Sequence, residues 1–339
     1  MPDHEYTYDS LHMGRSSIDI YSNDIGASFP EITNFAAYVG GSPTNMSVGG
    51  RRLGLKTALL TAVGQDPVGD FILNFLNEEG VETRFCPRKP LRRTSAVVLG
   101  VEPPDKFPLV FYRDNCADMG LDVDDALAAP FDDCRIFQFA GTNLSLDPSR
   151  TATIYAAELA RSAGAQVLLD VDFRPNLWPD PRWFGITLRS ILHLVDVVIG
   201  TKDELNALMI QRPDQVSITD SQVSDARVGG DVETAIKRIL KSGPKLVVEK
   251  TGPQGCRLHS ANEPIVEAPG FPVEVMNILG AGDAFGSGFI YGLVKDWEPY
   301  KAARLGNACG AIVVGRHGCS ISMPTHEEVF SFIEDHGGF

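Results

Sequence analysis

Two stretches place chemically capable residues at unusual backbone positions. In "NILGAGDAFGSGF", residues 277–289, Gly280, Ala281 and Gly282 precede Asp283 where an apolar strand gives way to an apolar helix. Glycines at such a turn leave backbone N–H groups uncovered, and the helix start adds its positive end, which together suit an anion such as a phosphate. A carboxylate in the first helical turn is favoured by the dipole, which tends to keep Asp283 ionised. It would be a poor ligand for the anion, but well placed to accept a proton from a hydroxyl attacking phosphorus. A capped helix with Gly286 and Gly288 serving close packing explains the same residues equally well. In "YVGGSPTN", residues 38–45, Gly40 and Gly41 would let backbone approach a ligand. Asn45, one turn into the next helix, could read sugar hydroxyls as donor and acceptor; taken singly, an ordinary turn and a solvated Asn explain this stretch better.

Two arginines could add a grip on an acid. Arg113 ends a β-rich run in "LVFYRDNCADMG", and Arg174 follows a core strand in "LLDVDFRPNLW". Each carries a planar fork matched to a carboxylate. The alternatives are a surface arginine at 113, and at 174 an arginine paired with Asp170 or Asp172.

These residues need a scaffold, and the chain alternates short apolar runs with helical patterns. "TALLTAVG" (57–64), "RIFQFAG" (135–141), "QVLLDVD" (166–172), "DVVIG" (196–200) and "KLVVEK" (245–250) read as buried parallel strands. Helical patterns at 66–80, 147–164, 201–209 and 231–243 lie between them, several closed by Gly. The pattern predicts an α/β fold, a mostly parallel sheet covered on both faces, with ligands beyond the carboxyl ends of the strands. Residues 29–41 and 92–116 break the alternation and read as a small β lid, the second with a Pro-rich hairpin turn. Residues 211–230 read as a polar surface loop, and residues 1–11 as a loose tail ahead of one domain spanning 12–330.

The bulk composition narrows the partners. Of 339 residues, 43% are hydrophobic and 22% charged, enough for a sizeable core without disulfide or metal. Lys+Arg 30 against Asp+Glu 44 gives a net charge of −14, which disfavours nucleic acid and anionic membranes. The six cysteines form no C-x-x-C pair, and read as reduced thiols of a cytoplasmic protein. The N-terminus lacks a basic and an apolar segment, so no secretory signal is expected, and no apolar run reaches membrane-spanning length. No G-x-x-x-x-G-K-[ST] loop occurs, and no G-x-G-x-x-G follows the first strand, which counts against a dinucleotide-dependent dehydrogenase.

"GGSPTN" and "GAGDAF", in this order with "SSIDIY" (16–21) and "KTGPQG" (250–255), resemble the ribokinase/phosphofructokinase-B superfamily of carbohydrate kinases from about Gly14 to about Glu328. The resemblance implies a Rossmann-like core with a β lid, ATP as phosphoryl donor and Mg²⁺. It implies Asp283 as general base with the Gly280–Gly282 backbone as anion hole. Asp19, Gly40, Gly41 and Asn45 would bind sugar; Lys250, Gly252, Gly255 and Asn307 would line the nucleotide site. The family's metal-linked N-x-x-E appears as Thr201-Lys202-Asp203-Glu204, which keeps Glu204 for Mg²⁺-bound water. Asn277 stands where the family's motif often has Asp, which argues against a monovalent cation such as K⁺ at that loop.

"DVDFRPNLW" and the lid "YR" resemble superfamily kinases of 2-keto-3-deoxygluconate. "SIDIYSNDIG", "YVGGSPTN", "FYRDNCADM" and "VVGRHGC" are more similar to members of inositol catabolism that phosphorylate the C6 hydroxyl of a ketodeoxy sugar acid. Arg113 and Arg174 would then hold the carboxylate. A 2-keto-3-deoxygluconate kinase, a fructokinase-like enzyme, and an inactive sugar- or nucleotide-binding regulator are the alternatives. Exposed lid edges would allow a homodimer. The resemblance ends without the long C-terminal domain that some relatives carry.

Overall fold

The computed structural model describes residues 5–103, 106–218 and 226–339. Its centre is an eight-stranded sheet. In spatial order the strands are Val266–Pro269, Gly255–Ser260, Leu246–Lys250, Val197–Thr201, Gln166–Asp170, Cys134–Ala140, Tyr8–Met13 and Thr57–Leu60. The six from Leu246–Lys250 to Thr57–Leu60 pair in parallel; the first two add an antiparallel edge. Each of the five predicted apolar runs contributes a strand to this sheet.

Covering both faces is what makes these strands so apolar. One core gathers Leu11, Phe137, Phe139, Val167 and Leu169 against the helix Ser149–Ala163. That helix presents Ala152, Ala156, Ala157 and Ala160, all fully buried, so its backbone lies close to the sheet. Gly164 ends it in the left-handed conformation at φ 86°, as a C-terminal glycine does. The opposite core gathers Ile136, Leu168, Ile199 and Val248 with Phe285, Phe289 and Leu305 from the helices Ala281–Val294 and Pro299–Val314. Each phenylalanine buried in this way contributes about 2–3 kcal/mol.

The first strand corrects the expected tail. Residues Tyr8–Met13 form an interior strand, paired on both sides, rather than loose chain up to residue 11. Its polar members Ser10 and His12 disguise it, yet they are satisfied internally. His12 bridges Ser10 Oγ and Gln138 Oε1, each at 2.9 Å.

A second sheet of four strands forms the lid, in the order Phe35–Gly40, Ser17–Ser22, Ser95–Leu99 and Leu109–Tyr112. Three strands fall within the predicted lid segments. Ser17–Ser22 is a fourth, and Phe29–Glu31 is a short 3₁₀ turn rather than strand. Two residues of the predicted Pro-rich turn, 104 and 105, lie outside the described residues. The predicted surface loop contains a short antiparallel pair, Val216–Ile218 with Ala226–Val228; residues 219–225 between them lie outside the described residues. All six cysteines are free and buried. Among the described residues no helix is long and apolar enough to cross a membrane.

Candidate active site

Two helices aim their N-termini at one place beneath the lid. The helix Ser42–Arg52 starts after Gly41, and the helix Ala281–Val294 starts after Gly280. Gly41 has φ 112°, and a Cβ there would stand 2.2 Å from the Arg15 carbonyl oxygen. Gly280 has φ 82°, the left-handed turn that frees the following amides. The helices touch so closely that a Cβ on Gly49 would meet Ser287 Oγ at 2.2 Å, and one on Gly286 would meet Met46 at 2.7 Å. This packing brings residues from opposite ends of the chain into contact.

The contact that matters is Asn45 Nδ2 donating to Asp283 Oδ2 at 2.6 Å. Ser320 Oγ donates to Asn45 Oδ1 at 2.6 Å, which fixes the amide's orientation. Asn45 therefore holds Asp283 instead of presenting both its groups to a sugar. Burial pushes the Asp283 pKa above the usual carboxylate value, opposed by the bond from Asn45 and raised further by Asp172. Burial thus works against the easily ionised Asp283 expected from its place in a first helical turn. A raised value suits a group that must take a proton.

Beside Asp283 lie charges supplied by the carboxyl ends of three neighbouring strands. Lys250 Nζ stands 3.6 Å from both Asp170 Oδ1 and Glu204 Oε2. It also lies 3.2 Å from where a Cβ on Gly282 would be. These carboxylates hold the Lys250 pKa well above its ordinary value against the cost of burial. Ser42 Oγ donates to Asp170 Oδ2 at 3.0 Å. Burial pushes Asp170 up, to about 7. Asp172 has φ 39°, a left-handed backbone rare outside glycine, and its carboxylate meets Arg174 Nη2 at 2.9 Å and accepts from Thr142 Oγ1 at 3.1 Å. Arg174 also lies within electrostatic range of Glu204, Asp283 and Asp170. Sequence alone did not single out Ser42, Thr142 or Ser320, and it named Asp170 only as a candidate partner of Arg174. Only Asp170 carried a signal, as a charge ending an apolar strand.

A cleft of about 470 Å³ opens on this cluster, lined by Thr201, Glu204, Lys250, Thr251 and Gly252 among others. Gly252 and Gly255 have φ 65° and 99°, and a Cβ on Gly255 would stand 2.2 Å from Ala268 O. Asn307 Nδ2 is engaged by the carbonyls of Ala268 and Pro269 at 2.9 and 3.1 Å, so it anchors the sheet edge beside this cleft.

On the lid side, Asp19 is buried and accepts from Ser17 Oγ at 2.6 Å, with Arg15 Nη1 3.9 Å away. A Cβ on Gly40 would stand 2.0 Å from Asp19 Oδ2, so this glycine makes room for the carboxylate. Arg113 departs from expectation. It is 4% exposed; Nε and Nη2 both meet Asp118 Oδ2 at 2.7 Å, and Nη1 donates to Thr142 O at 3.3 Å. Its fork is turned into the protein by a buried partner that the sequence pattern did not reveal.

Ion sites can be judged by these donors. Among the described residues no three His, Cys, Asp or Glu side chains converge to ligate a metal directly. The buried Asp170 Oδ1, which accepts no hydrogen bond, and Glu204 fit a hydrated Mg²⁺, a cation that keeps several waters and binds through few carboxylates. Asn277 does not fit a cation. It is fully buried, its Oδ1 accepts from Leu279 N–H at 3.0 Å, and its Nδ2, a donor, is buried with no partner.

The chain is similar to known sugar kinases in sequence and in fold. The chain is 33% identical over 335 residues to 5-dehydro-2-deoxygluconokinase of Geobacillus kaustophilus, covering 98% of this chain and 96% of that one. It is 32% identical to the protein of the same name from Clostridium perfringens, covering 98% and 94%. Among solved structures, the apo form of a putative ribokinase II from E. coli superposes with TM-score 0.84 at 25% identity, over 97% of this chain and 100% of that chain. A Vibrio cholerae fructokinase bound to fructose, ADP and potassium ion superposes with TM-score 0.81 at 24% identity, over 97% and 99%. Residues 10–326 match the pfkB family carbohydrate kinase profile, and with this coverage and identity the chain belongs to that family.

Proposed function

We propose that this carbohydrate kinase transfers the γ-phosphoryl group of ATP to the C6 hydroxyl of 5-dehydro-2-deoxygluconate, a step of inositol catabolism. The observation that carries the reading is Asp283, held by Asn45 at the start of a helix, between the lid-side Asp19 and the Lys250 cleft. The names of the full-length relatives support the choice of acid. Asp283 accepts the C6 hydroxyl proton. The backbone N–H groups at Gly280–Gly282 face the charge that develops on the transferred group. Lys250 and Arg174 stand at the same end and orient the phosphates. Asp19 accepts from substrate hydroxyls, and closure of the lid excludes water that would otherwise hydrolyse ATP. Asp170 and Glu204 would hold Mg²⁺ through water; when bound, the ion neutralises phosphate charge. Gly252 and Gly255 shape the nucleotide loop, and Asn307 keeps the adenine side of the cleft in place.

Exposed Phe35, Val110 and Tyr112 on the two edge strands of the lid support a homodimer through the lid. A monomeric mass at micromolar concentration would overturn that part.

The test of function is ADP release across sugars and sugar acids, with the product's phosphate position read by NMR. 5-Dehydro-2-deoxygluconate should give the highest kcat/KM and a C6 phosphate. A higher value with 2-keto-3-deoxygluconate or fructose would overturn the reading in favour of that substrate.

A further inference from the structure

Arg15 sits where the core sheet hands the chain to the lid. The strand Tyr8–Met13 ends two residues before it, and the lid strand Ser17–Ser22 begins two residues after. Its backbone is pinned: the Arg15 carbonyl accepts from Thr44 Oγ1 at 3.1 Å and lies against Gly41. Thr44 precedes Asn45, so the backbone of Arg15 is tied to the helix that positions Asp283. Its side chain reaches the other way, to the lid. The guanidinium carbon is 5.1 Å from the Phe111 ring centroid, and Nη1 donates to Ser17 Oγ.

The side chain is mostly covered, with 14% of it exposed. Yet among the described residues Nε and Nη2 carry no hydrogen bond, and the nearest carboxylate oxygen, Asp19 Oδ1, is 3.9 Å from Nη1. A guanidinium packed on one side, with its unused donors open to solvent, can receive a planar anion. The other two arginines do not compete for that role. Arg113 has a protein partner on each nitrogen. Arg174 is paired with Asp172 and stands among Glu204, Asp283 and Asp170, at the reacting end. Asp19 lies within electrostatic range of both Arg15 and Asp283, and so links the two. An acid whose hydroxyl reacts at Asp283 would direct its far end toward Arg15.

We propose that Arg15 binds the substrate carboxylate and sets the preference for sugar acids over neutral sugars. This rests on the sugar-acid reading above. The test compares wild type, Arg15→Met and Arg15→Lys on 5-dehydro-2-deoxygluconate and on fructose, by ADP release, with calorimetric Kd for the acid and for its neutral carboxamide. Arg15→Met should lose about 10- to 100-fold in kcat/KM and affinity for the acid, the cost of removing charge-assisted hydrogen bonds. Fructose and the carboxamide should change less than about threefold, and Arg15→Lys should recover part of the loss. Equal losses on acid and neutral ligands would overturn the proposal, leaving Arg15 as support for Asp19. No loss on either would overturn it too. Wild-type enzyme inert toward every sugar acid would overturn the substrate reading, and this inference with it; an acid-preferring Arg15→Met variant would overturn the inference alone.

Discussion

Asn45 donates to Asp283 at 2.6 Å although 238 residues of chain separate them. Neither residue explains itself. Asp283 needs Asn45 to fix its carboxylate and to oppose the rise that burial causes in its pKa. Ser320 holds the amide the right way round. The unit is a three-residue hydrogen-bond relay from Ser320 through Asn45 to Asp283.

Two substitutions test that relay. Asp283→Asn should lower kcat with saturating ATP by at least about 10²-fold, the size of a general-base contribution; a loss under tenfold would remove Asp283 from the reaction. Asn45→Ala should leave the base in place but shift it. The active form is the carboxylate, so kcat/KM falls as pH drops through the Asp283 pKa, which already lies above the ordinary value. Removing a hydrogen bond that favours the carboxylate raises that pKa further, so the acid limb should move to higher pH. An unmoved limb would show that Asn45 does not act through Asp283.

What could be read from the sequence was whatever depends on local backbone. Gly280, Gly40 and Gly41 are needed because a side chain there would strain a turn or block a close approach, and such needs leave a mark in the sequence. The strands were legible where apolar residues bury both faces. Pairings across strand ends were not. Lys250 meets Asp170 and Glu204 only because the strand order sets 246–250, 197–201 and 166–170 side by side. The inward turn of Arg113 depends on Asp118, five residues on, taking its fork. The strand Tyr8–Met13 escaped because its polar residues are satisfied by a neighbouring strand that sequence could not place beside it.

That hidden pairing predicts acid sensitivity. Burial pushes the His12 pKa from 6.5 down to about 4, so the folded protein holds it neutral. Between those values the unfolded chain takes up a proton that the folded one refuses. Stability is therefore complete above pH 6.5 and falls as pH drops toward 4, by about 3 kcal/mol from this group. Denaturant unfolding of wild type and His12→Gln from pH 7.5 to 4.5 would measure it. The gap between the two should narrow on acidification; a constant gap would mean that His12 is charged in the fold.

Gly40 offers a steric test of the sugar side. A methyl there would stand 2.0 Å from Asp19 Oδ2, so Gly40→Ala must displace the carboxylate. We expect KM for the sugar to rise about tenfold or more, with KM for ATP little changed, because one good hydrogen bond to a charged group is worth about 1.5–3 kcal/mol. Equal rises for both substrates would place the damage in the fold rather than in the sugar site.

Asn277 bears on ion dependence. Its Oδ1 is committed to the Leu279 N–H, and its buried Nδ2 is a donor, which cannot ligate a cation. Kinase activity should therefore change less than about twofold when KCl is replaced by choline chloride at constant ionic strength, since a carboxamide N–H repels a cation and an ordinary salt effect on a partly buried site is small. A tenfold loss without K⁺ would refute this. Asn277→Asp should invert the behaviour. A buried carboxylate without a partner is costly, so the variant should unfold at lower temperature in choline chloride and regain stability as K⁺ is added. A variant as stable as wild type in both salts would mean that the position is neither dry nor near any cation.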